Sequence, residues 1–169
     1  LDVLNSETLI QEITKTKSYK NLPDHYKYRF SIYKVYWQLM KDELLTNENK
    51  RVKIAKLLND IQSNINDKYG FYFSIKVIEI IEALRNERLD IYYEKCILIK
   101  RFYSQNLSQN NTIREFWLVE MLSKTHQFKT NKTGIIETNK ELLQKLSSNS
   151  ELHIINDYEI LPYDFLWGI

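Results

Sequence analysis

Three histidines, His25, His126 and His153, are where acid–base or metal chemistry would be sought first, and each stands isolated. None belongs to a set of ligands at metal-binding spacing. His126 follows Arg114 by twelve residues, too far for the two to share one helical turn. Glu79 and Glu82 are three apart and could hold a metal from one helix face. A di-iron bundle also needs paired Glu-x-x-His segments, and the chain contains none. A solvated helix face is therefore the expectation for this pair. Glu115 and Glu120, five residues apart, do not share a face. Phosphate loops, serine elbows and dinucleotide fingerprints are missing from a chain with only 3 glycines. Cys96 lies in an apolar run and reads as a buried structural thiol. The sequence thus assigns no catalytic, cofactor-binding or metal-ligating residue, and no cofactor.

Phosphate recognition is the next chemistry to test. A helix from Thr112, a short helix over Thr138 to Leu146, a turn at Ser147 to Ser150 and a helix from Glu151 would suit a helix-turn-helix. The spacing of Leu142, Leu146, Leu152 and Ile155 is compatible with that. Charge argues against it, because Glu151 to Leu161 carries Glu151, Asp157 and Glu159 and no Lys or Arg. A recognition helix would place cations there. A separate basic surface remains: Lys124, Lys129, Lys132 and Lys140 flank the polar stretch Gln127 to Thr133 and are the candidate phosphate contacts. Lys95, Lys100 and Arg101 lie upstream. Glu115, Glu120, Glu137 and Glu141 balance these charges, so ordinary solvated lysines are the simpler account.

The elements that would have to position such groups follow from composition and periodicity. With 169 residues the chain is read as a single all-α domain, 1–169, able to bury about two-thirds of its unfolded surface. It starts at Leu1 rather than Met, which suits a piece of a longer chain. Only 3 glycines and 2 prolines argue against barrels and sandwiches, which need many special turns. A net charge of +2, spread evenly, gives no bias toward nucleic acid or acidic membranes. A single cysteine excludes an internal disulfide and fits a reducing, cytoplasmic setting. No membrane span or signal peptide is visible.

The pattern is helical throughout, and it predicts a compact bundle of about seven helices. Residues 24–45 form the expected central helix. Tyr26, Phe30, Tyr33, Trp37 and Met40 share one face, and Tyr28, Ile32, Val35, Tyr36 and Leu39 run beside it. Lys27, Ser31, Lys34, Gln38 and Lys41 are left for water. Before it, Asn5 or Ser6 caps a first helix with Leu9, Ile10 and Ile13 inside, and Asn21 to Asp24 breaks the chain. After it comes an amphipathic helix from Val52 to about Lys68, closed by Gly70. Phe71, Phe73, Ile75 and Val77 alternate as a strand would, while Val77, Ile78, Ile81 and Leu84 repeat as a helix does. With no partner strand nearby, helix is preferred as far as Arg85 or Arg88. A further helix carries Ile91 to Tyr103, and Ser104 to Asn111 reads as a loop. Thr112 caps a helix with Ile113, Phe116, Trp117, Val119, Glu120 and Leu122. Thr138 or Asn139 caps a short one with Leu142, Leu143 and Leu146.

The last stretch, Glu151 to Ile169, is apolar and aromatic and has to be covered. It either packs on its own domain or meets a part of the chain not given. Phe165, Leu166 and Trp167 are its candidate partner contacts. With no catalytic grouping and an excess of large aromatics, the expected function is a non-catalytic helical protein–protein interaction or regulatory module. The partner is another protein or the remainder of its own chain. The alternative is a nucleic-acid-associated helical domain, such as a transcription regulator or a replication or phage-defence component. An enzyme whose site assembles from residues distant in sequence is the third reading.

Overall fold

A computed structural model describes residues 3–44, 71–107, 113–125, 132–148 and Tyr163. The chain is all-α. Among the described residues there are seven helices and no strand. They are α1 (Val3–Lys15), α2 (Lys17–Lys20), α3 (Asp24–Leu44), α4 (Phe71–Arg85), α5 (Leu89–Asn106), α6 (Ile113–Thr125) and α7 (Lys132–Ser148). They fall into two compact units, Leu1–Asn66 and Asp67–Ile169. The expected helix from Val52 to Lys68, the turn before it and the Gly70 stop lie outside the described residues.

In the first unit, α1 begins at Val3, so Asn5 and Ser6 sit inside it rather than capping it. Residues 2, 5 and 6 are all cap-forming types, and local preference alone cannot choose among them. Thr16 ends α1 and starts α2. Its hydroxyl donates to the Ile13 carbonyl at 2.8 Å and accepts from the Tyr19 amide at 3.1 Å. The break at Asn21 to Asp24 is as expected. The Pro23 carbonyl accepts from the Tyr26 and Lys27 amides, so α3 starts immediately after the proline. Tyr19 packs edge-on against Phe30, with centroids 5.2 Å apart, and this ties α2 to α3.

Of the two predicted apolar lines of α3, the second is buried from Ile32 onward, with Tyr28 at its start half-buried, and the first is not. Ile32, Val35, Tyr36 and Leu39 are enclosed, whereas Tyr26 and Tyr33 are exposed and Phe30, Trp37 and Met40 are half-buried. The aliphatic residues Ile32, Val35 and Leu39 gain most from burial, and Tyr36 is enclosed with them. The tyrosines can leave a polar tip in water.

The helix enclosed on nearly every side is α4. Phe71, Phe73, Ser74, Ile75, Lys76, Val77, Ile78, Ile80 and Ala83 are all buried. This resolves the ambiguity over Phe71 to Val77. A helix covered all round hides both sets of alternating positions, so period alone cannot distinguish it from a strand. Helices α4 to α7 pack in succession, each on the next. The pairs Tyr72–Phe102 and Glu79–Lys95 fix α4 and α5 as antiparallel. Tyr103–Phe116 and Lys100–Glu120 do the same for α5 and α6.

Two predicted boundaries are corrected here. Helix α5 continues through Ser104, Gln105 and Asn106, which were read as loop. Ser104 donates to the Arg101 carbonyl at 2.9 Å and Asn106 to the Phe102 carbonyl at 3.0 Å, so polar side chains that favour loops here help close the last turn. Helix α7 begins at Lys132 and runs through Gly134, Thr138 and Asn139. Asn139 is therefore buried at mid-helix rather than capping.

The α4–α5 turn is closed by the Arg88 amide donating to the Ala83 carbonyl at 2.9 Å and the Glu87 amide to the Leu84 carbonyl at 3.0 Å. That pair of bonds requires a left-handed residue, and Glu87 supplies it at φ 55°. Glycine adopts that conformation without the Cβ clash. Glu87→Gly is expected to stabilise the chain by about 0.5–1 kcal/mol, after allowing for the looser unfolded glycine chain. A urea midpoint that falls, or stays put, would contradict this account of the turn.

Candidate functional site

The polar groups that converge in the described structure are joined to helix ends and to one another. Glu79, expected on a solvated face beside Glu82, has a side chain only 14% exposed. Its Oε2 takes Nζ of Lys76 and Nζ of Lys95, each at 2.9 Å. Lys76 belongs to the buried surface of α4, and its ammonium also lies 5.0 Å from the centre of the Tyr72 ring. The carboxylate thus joins a buried cation on α4 to a partly exposed one on α5. Among the described residues, no group of three or more His, Cys, Asp or Glu could hold a metal ion.

The sequence reading missed the interior of α6. It put Ile113 and Phe116 on the apolar face, left Glu115 to balance surface lysines and gave Arg114 no role. Instead Arg114 and Glu115 are fully buried, and Ile113 and Phe116 are each 40% exposed. The cause is visible at the far ends of two partner segments. Helix α7 ends at Ser148, so its last-turn carbonyls lack partners within the helix. Arg114 Nη1 donates to one of them, the Leu146 carbonyl, at 2.6 Å. A guanidinium suits this position, since the helix C-terminus carries partial negative charge. Glu115 Oε1 accepts from the Tyr163 hydroxyl at 3.0 Å. The Tyr163 ring meets Phe73 of α4 edge-on at 6.3 Å.

Tyr163 is buried, so the C-terminal stretch contributes at least this residue to the core of the second unit. The candidate partner contacts Phe165, Leu166 and Trp167 lie outside the described residues. So does the proposed recognition helix from Glu151. A tyrosine next to a proline in an apolar tail gave no sequence signal of its role, because its carboxylate partner lies 48 residues away.

Cys96 is buried and free, as expected. One turn earlier, the Tyr92 hydroxyl donates to the Leu122 carbonyl at 3.0 Å, near the end of α6. Burial pushes the Cys96 thiol up to about 11, the Tyr92 hydroxyl offsetting a smaller part. Burial, with Cys96 beside it, likewise raises the Tyr92 phenol far above its ordinary range. A thiol held protonated is a poor nucleophile at neutral pH.

Of the candidate phosphate contacts, Lys140 is exposed on α7 and Lys124 is half-buried in the last turn of α6. Lys132 opens α7, its side chain and all of Lys129 lying outside the described residues. The structure therefore does not bring the four together as a described surface. Lys95 is paired with Glu79, and Lys100 lies 3.5 Å from Glu120. His25 is exposed against Tyr26 in the first turn of α3, and His126 and His153 are outside the described residues.

One surface feature emerges that the sequence did not single out. Tyr72, at the start of α4, packs on Phe102 with centroids 4.6 Å apart. Tyr103, the next residue of α5, packs on Phe116 of α6 at 6.0 Å. Tyr72 is 38% and Phe116 40% exposed, while Phe102 and Tyr103 are half-buried, so two ring pairs join α4 to α5 and α5 to α6. Compared with protein-family models, curated proteins and solved structures, the chain matches none. No helix among the described residues is long and apolar enough to cross a membrane.

Two stability tests follow. Replacing Tyr163 by Phe leaves a buried carboxylate without that donor and should destabilise by about 1–3 kcal/mol. In a Glu115→Ala background the same change should cost much less, and equal losses in both backgrounds would show that the bond contributes nothing. In the pH test, the unfolded Cys96 thiol ionises from about 9 while the native one keeps its proton to about 11. Stability should therefore be unaffected by this group below pH 9. It should then fall as pH rises toward 11, by up to about 1.4 kcal/mol per unit. Cys96→Ala should flatten that part of a denaturant-midpoint profile relative to the parent chain.

Proposed function

We propose that this chain is a non-catalytic helical module, interactive or regulatory, that works by binding another protein. The observation that carries the reading is that Tyr72 on α4 and Phe116 on α6 are exposed, each packed on a half-buried ring of α5, Phe102 and Tyr103 respectively. Large rings at a surface give wide contact area for little lost side-chain freedom. The interior polar groups support it from the other side. Arg114, Glu115, Lys76 and Glu79 are engaged with a helix end, a phenol or each other. A cytoplasmic setting is consistent with the one buried thiol of Cys96.

The nucleic-acid alternative draws on Lys140, which is exposed and forms no ion pair within the described structure. It is weakened by the pairing of Lys95 and Lys100 with carboxylates. The discriminating experiment is capture of the full chain from its native cells after cross-linking. A protein recovered in stoichiometric amount, and competed away by untagged chain, is the expected result. Recovery of nucleic acid alone, lost steeply as salt is raised, would replace this reading with the alternative.

A further inference from the structure

We draw no further inference here: the strongest candidate, the aromatic face of α3 where Tyr26 and Tyr33 are exposed beside half-buried Phe30 and Trp37, carries none because nothing in the structure shows what covers it.

Discussion

The second unit depends on a single constraint: α4 is apolar around almost its whole circumference and has to be covered on every side. One neighbouring helix cannot do that. Helix α5 covers one face through the tight hairpin at Asn86 to Arg88, and Tyr163 reaches Phe73 from the far end of the chain. Enclosing α4 also draws in Lys76, and a buried ammonium without a partner would be strongly unfavourable. Glu79, one turn along the same helix, supplies the countercharge and at the same time recruits Lys95 from α5. The ion triad is thus a consequence of burial, and it fixes the two helices in register.

The same logic explains α6, where apolar and polar demands compete. Turning Ile113 and Phe116 inward would bury more apolar surface, at about 25 cal/mol per Å². The helix instead turns Arg114 and Glu115 inward. A hydrogen bond to a charged group contributes about 1.5–3 kcal/mol, and a buried polar group left without one costs a comparable amount. Arg114 satisfies a terminal carbonyl of α7, and Glu115 satisfies the hydroxyl of Tyr163. Two such bonds are comparable with the gain from burying two partly exposed side chains. Each also fixes a segment that would otherwise have no polar anchor. The outward position of Phe116 follows from what the interior requires.

This separates what could be read from the residues and what could not. Helical class, the break at Pro23, the end of α4 at Arg85 and the burial of Cys96 all follow from local pattern, because each depends on residues within a turn or two. The orientation of α6 does not. Its amphipathic period admits two faces about one residue apart, and the choice is made by Leu146 and Tyr163, distant in sequence. Asn139 and Ser104 mislead for a related reason. Both are cap or loop types by preference, yet burial on α7 and a bond back to Arg101 keep them helical. Of the candidate site residues, Lys124 and Lys140 are located on separate helices. The ring pairs Tyr72–Phe102 and Tyr103–Phe116 were not legible, since each joins two helices.

Core and surface on α6 are consequently one system. Successive residues on a helix are about 100° apart, so Ile113 and Arg114, or Glu115 and Phe116, cannot both face the same way. Whatever holds Glu115 toward Tyr163 holds Phe116 toward Tyr103 on the outer side. Tyr163 therefore helps set the outward presentation of Phe116 on the neighbouring face of α6. Coupling of this kind needs no pathway of moving parts, only a rigid helix with two faces and a bond that selects between them.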